Sequence, residues 1–124
     1  MQFSLQYNQG IFDVKTESDA DVETFSEIIK EIFNHEKWES GNPMLIDHTK
    51  LNAATLTAKD MESIAFLCGQ YREQFRHTKC AIIAVGDLEY AMGRMWQAFA
   101  ETELRDSSVM IFKSRAEAIA WLNE

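Results

Sequence analysis

Two apolar runs, residues 80–85 and 109–112, limit what this chain can fold into more than any other feature. No polar residue interrupts either run, so each reads as a strand covered on both faces. Between them Leu88, Met92, Met95, Trp96 and Phe99 recur at helical spacing. A strand, a helix and a second strand of these lengths make a right-handed parallel crossover within one sheet.

The rest of the chain repeats that alternation. Residues 2–7 and 11–16 read as short strands, with Phe3, Leu5 and Tyr7 alternating with polar neighbours. Asn8, Gln9 and Gly10 tolerate the positive φ of a hairpin turn. Ser18 and Asp21 have the spacing of a capping box, and Val22, Phe25, Ile29 and Ile32 mark one helix face. Met44, Leu45 and Ile46 form a short strand ending at Asp47 and His48. Thr57 with Asp60 caps a second helix, whose inner face is Met61, Ile64, Cys68, Tyr71 and Phe75. Asp87 reads as the N-cap of the third helix. Ser114 with Glu117 opens a last helix ending in Trp121 and Leu122.

The expected fold is α/β, an N-terminal β-hairpin followed by alternating elements in the order β-β-α-β-α-β-α-β-α. The sheet is mixed, largely parallel and five-stranded, in a single domain over residues 1–124. Its middle strands need cover on both faces. Either the helices divide between the faces, or they crowd one face and a second subunit covers the other, so a homodimer is also expected.

Charge narrows the partners. The chain has 12 basic and 20 acidic residues, a net charge of −8. Nine of the acids fall in residues 13–39. Such a surface repels nucleic acid and anionic membranes, because phosphate binding relies on Lys and Arg. No stretch approaches the length of a membrane span, and the first residues lack the basic start and apolar run of a signal peptide. Cys68 and Cys80 lie in apolar segments, as expected of free thiols in a reducing compartment. The expectation is a cytoplasmic protein with no membrane insertion and no nucleic-acid partner.

Three stretches carry a family resemblance: Met44, Leu45 and Ile46 closing on Asp47; residues 81–96, with Gly86 and Asp87 after the strand; and residues 109–112 followed by the helix at 116–122. With the order of elements, they resemble the SpoIIAA-like group of the STAS superfamily, small bacterial proteins, over nearly the whole chain. The resemblance implies a regulatory or binding module that engages a partner protein or a small ligand. Its anti-sigma-factor antagonists carry a phosphorylatable serine in an Asp-Ser-x-Gly turn. The matching residues 52–58 hold neither that pair nor a glycine. Thr55 and Thr57 are the only phosphoacceptor candidates there, and Thr57 already reads as a helix cap.

Candidate site residues follow from position. Asp47 and His48 close a parallel strand, where ligands of open α/β sheets gather. The plain alternative is a turn cap beside a solvent-facing histidine. Asp87, Tyr90 and Arg94 share one side of the third helix and, with Asp47, make a polar ligand or partner site. The plain alternative there is a cap, a half-buried ring and an ion pair to Glu89 or Glu101. His35, His48 and His77 show no metal-ligand spacing, and no glycine-rich phosphate loop occurs. No metal, cofactor or catalytic residue is assigned. A stripe of Met92, Met95, Trp96 and Phe99 suits plain core or the wall of an apolar ligand cavity. Three functions follow: a non-enzymatic binding module, a carrier of an apolar or lipid-like ligand, or a small enzyme using Asp47, His48 and Arg94.

Overall fold

In the computed structural model, which describes residues 1–124, the chain opens with the hairpin. β1 (Gln2–Asn8) and β2 (Ile11–Asp19) run antiparallel with Asn8 opposite Ile11. Gln9 and Gly10 between them have φ of 53° and 82°. These are the two left-handed residues of a type I′ turn, whose twist matches that of the strands it joins. There follow α1 (Val22–Phe33), β3 (Met44–Asn52), α2 (Ala58–Gly69), a single-turn α3 (Arg72–Phe75), β4 (Lys79–Ile83), α4 (Asp87–Glu103), β5 (Ser108–Phe112) and α5 (Arg115–Leu122). The expected alternation is present, with α3 as an added turn before β4.

The strand order is β1-β2-β3-β4-β5, parallel from β2 onward. Each crossover therefore moves one strand in the same direction. Crossovers of constant hand then place α1, α2 and α4 on one face of the sheet. Phe12, Val14, Met44, Cys80, Ile82 and Ile111 face these three helices in the larger core. α5 lies outside these crossovers and covers the other face. There Ala118 and Leu122 pack on Leu45, Ala81 and Ile83.

An eight-residue helix is marginal in isolation, and α5 is fixed at both ends. Arg115, in its first turn, pairs with Asp13 of β2 and, at 3.1 Å, with Asp47 of β3. A cation at a helix N-terminus opposes the dipole, and the two carboxylates offset that. At the other end Lys79 Nζ donates to the Trp121 carbonyl at 3.0 Å and to the Glu124 carbonyl at 3.3 Å.

Several local expectations change. α1 is capped by Asp21, which accepts from Thr24 N, while Ser18 lies in β2 with φ 71°. Gly86, not Asp87, is the N-cap of α4, and the Asp87 side chain is fully exposed beside Lys113 at 3.7 Å. The loop from β4 enters α4 one residue early, so Asp87 falls inside the helix. β5 is an edge strand, which leaves Met110 40% exposed, and Val85 and Leu88 at the β4–α4 corner are 49% and 46% exposed. The capping box of Thr57 and Asp60 forms with both bonds, and Ser114 caps α5 by accepting from Glu117 N.

Thr57→Ala is expected to cost about 1 kcal/mol through loss of that cap, whereas Asp87→Ala should leave the melting temperature essentially unchanged. Equal losses in the two variants, by thermal denaturation, would refute the placement of the caps. Arg115→Leu strands two carboxylates, one of them buried, and should cost about 1–3 kcal/mol at pH 7, between surface and buried ion pairs. Burial alone would raise the Asp47 pKa, but hydrogen bonds from Thr49 and the Arg115 guanidinium outweigh it and hold it below 3.8. The contribution is present above pH about 4 and lost as Asp47 protonates below it. The stability gap between wild type and variant should therefore close on acidification; a gap unchanged at pH 3 would contradict the assignment.

Candidate functional site

β3 outruns β4. Asp47 lies opposite Ile83, the last residue of β4, while Lys50 to Asn52 pair only with β2. At this point the register slips, three steps along β3 from Asp47 to Lys50 matching two along β2 from Lys15 to Glu17. The extra residue is a bulge, a feature that re-aims side chains and recurs beside functional sites. It reverses the alternation, so that Leu51 rather than Lys50 is buried. Asp47 and His48 are thus mid-strand, not at a strand end.

The two side chains part company there. Asp47 faces α5, where Oδ1 accepts from Thr49 N at 2.9 Å and from the Thr49 hydroxyl, and Oδ2 meets Arg115. His48 turns inward, against the solvent-facing alternative. Its ring meets Phe25 edge-on at 5.6 Å, and Nδ1 lies 2.6 Å from the hydroxyl of Thr16, the β2 residue opposite the bulge. Burial pushes its pKa down to about 4, against the pull of the Asp47 charge, so the imidazole is neutral at pH 7.

His48 borders a cavity of about 100 Å³ between the sheet and α1, α2 and α4. The lining follows β3 through Met44, Ile46, His48 and Leu51 and is closed by Phe25, Ile29, Met61, Ile64, Met92 and Trp96, among others. Of its 21 lining residues 18 are hydrophobic, so the space offers little to a polar ligand. Within the expected methionine and aromatic stripe, Met92 and Trp96 reach the cavity, whereas Met95 and Phe99 do not. Trp96 is buried with its indole N–H unpartnered. Glu89 is the one carboxylate in the wall; its Oε2 accepts from Ala53 N at 2.9 Å and ties α4 to the β3–α2 loop. Cys68 and Cys80 line the cavity as free thiols, and burial raises both, Cys80 to about 12.

The remaining candidates do not converge. Asp87 pairs with Lys113, whose Nζ also sits 4.9 Å from the Tyr90 ring centroid. Arg94 is exposed and pairs with neither Glu89 nor Glu101. No hydrogen bond or ion pair joins this group to Asp47. Thr55 donates to the Ala20 carbonyl at 3.0 Å, and Thr57 is held as the α2 cap. Thr16, Glu89 and Arg115 are the unexpected participants. A sequence signal existed only for Arg115, a cation in a first helical turn that asks for a carboxylate partner.

The sheet runs in sequential order with α1, α2 and α4 on one face and α5 on the other, and this α/β fold is SpoIIAA-like. A crystal structure of an uncharacterised DUF3478-family protein with a SpoIIAA-like fold, from Shewanella loihica PV-4, superposes with a TM-score of 0.60. The two share 19% identity over 98% of this chain and 92% of that one, a likeness of fold. No family model matches the chain, and no curated protein matches it. No helix is long and apolar enough to cross a membrane.

Because the folded chain holds His48 neutral down to pH about 4 while the unfolded chain titrates near 6.5, the unfolded state binds the extra proton between those values. Stability should therefore fall as the pH drops from 6.5 to 4. His48→Gln should flatten that part of the profile, measured by denaturant unfolding at a series of pH values. An unchanged slope would contradict the inward placement of the ring.

Proposed function

We propose that the protein is a non-enzymatic SpoIIAA-like binding module whose ligand is a small apolar molecule held between the sheet and α1, α2 and α4. The cavity carries this reading, with its volume of about 100 Å³ and almost wholly hydrophobic wall. A designed apolar cavity of roughly 150 Å³ stays dry and takes up benzene, whereas drug-sized ligands fill about 300–1,000 Å³. The space therefore suits one ring or the tip of an acyl chain, and a whole lipid does not fit without expansion. Met61 and Met92 in the wall supply adaptable surface. A non-enzymatic role is supported by the state of the nearest nucleophiles. The Cys68 and Cys80 thiols are held protonated by burial, far from the lowered pKa that reactive thiols need.

A protein partner is the second reading. It is favoured by Phe66, 61% exposed on α2 in a shallow groove with Phe99 of α4.

Titration of the protein with toluene, followed by backbone amide shifts, should perturb residues around Met61, Met92 and Trp96 and saturate. Ile64→Phe fills the space and should weaken toluene at least tenfold, at a stability cost of about 1–3 kcal/mol. Shifts scattered over the surface, or undiminished binding in the filled variant, would refute the cavity as the site.

A further inference from the structure

We propose that the cavity's occupant is an uncharged alcohol or phenol, its apolar body in the space and its hydroxyl donating to Nε2 of His48. This rests on the apolar-ligand reading above and adds the polar recognition. Thr16 Oγ1 lies 3.3 Å from the Asp47 carbonyl and 2.6 Å from His48 Nδ1. The hydroxyl has one proton and the carbonyl can only accept. Both contacts are satisfied together when Thr16 donates to the carbonyl and Nδ1–H donates to Thr16. A neutral imidazole so held presents a bare lone pair at Nε2. That atom has no protein partner and is not sealed by its neighbours, unlike the buried unpartnered atoms elsewhere in the fold. The His48 ring lines the apolar cavity, and an acceptor lone pair turned to that space would select a donor.

Charge narrows the class further. Glu89 carries the only formal charge in the wall, and the chain as a whole is at −8, so a carboxylate or phosphate head meets repulsion. An ammonium head would have to shed its hydration in a wall that is otherwise apolar, with Glu89 Oε2 already engaged by Ala53 N and only Oε1 left to meet it. A hydroxyl pays neither penalty.

The test uses p-cresol and p-xylene, of nearly equal shape, against wild type and His48→Phe. The variant should weaken p-cresol about tenfold, as expected for one lost hydrogen bond, and leave p-xylene unchanged. In the wild type the ¹⁵N resonance of His48 Nε2 should shift upfield with p-cresol and not with p-xylene, a readout that survives if the variant fails to fold. 4-Methylbenzoate should not bind. Equal weakening of both probes, a stationary Nε2 resonance, or tighter binding of the benzoate overturns the assignment of the head group and leaves the apolar-ligand reading intact. Failure of every probe to bind overturns both.

Discussion

A strand buried on both faces demands two covering layers, and β4 is such a strand. Cys80 and Ile82 point to α1, α2 and α4, and Ala81 and Ile83 point to α5. Three crossovers of one hand can supply only one of those layers. The second falls to α5, a helix of eight residues that is too short to hold itself together. The charged contacts of Arg115 and Lys79 at its two ends follow from that shortage. Arg115 ties β2, β3 and α5 together, through Asp13 and through Asp47, the residue that begins the bulge.

The bulge connects this scaffold to the site. Without the extra residue in β3, Lys50 would occupy the inward position that Leu51 takes, placing a charge beside the larger core. With it, Asp47 serves the α5 face, while His48 closes on Thr16 and Phe25 at the border of the cavity. The two adjacent side chains thus do unrelated work, one electrostatic and structural, the other presenting a neutral ring to an apolar space.

Much of this fold was legible in the sequence. Periodicity revealed the hairpin, the parallel strands and the helices, because long patterned segments and turn residues such as Gly10 act locally. The run at 80–85 carried the topology, because β4 within it is covered on both faces, whereas the equally apolar run at 109–112 is an edge strand with Met110 exposed. The site was less legible. β3 extends beyond Ile46 through residues whose alternation the bulge scrambles, so Thr49 and Lys50 read as loop. Asp87 imitated a cap because Gly86 caps through its backbone and leaves no side-chain mark. The pairing of Thr16 with His48 spans 32 residues and depends on a register slip that no local pattern announces. The constellation of Asp47, Asp87, Tyr90 and Arg94 does not assemble because Asp47 is engaged with α5, while Asp87 and Tyr90 are engaged with Lys113.

The account turns on whether the space between β3 and the three helices is a dry, accessible apolar cavity. Crystals pressurised with xenon test that directly, since the gas enters dry apolar cavities. Xenon density bordered by Ile46, Met61, Met92 and Trp96 is the expected result. Ordered water in that space, or side chains packed across it with no xenon, would contradict it.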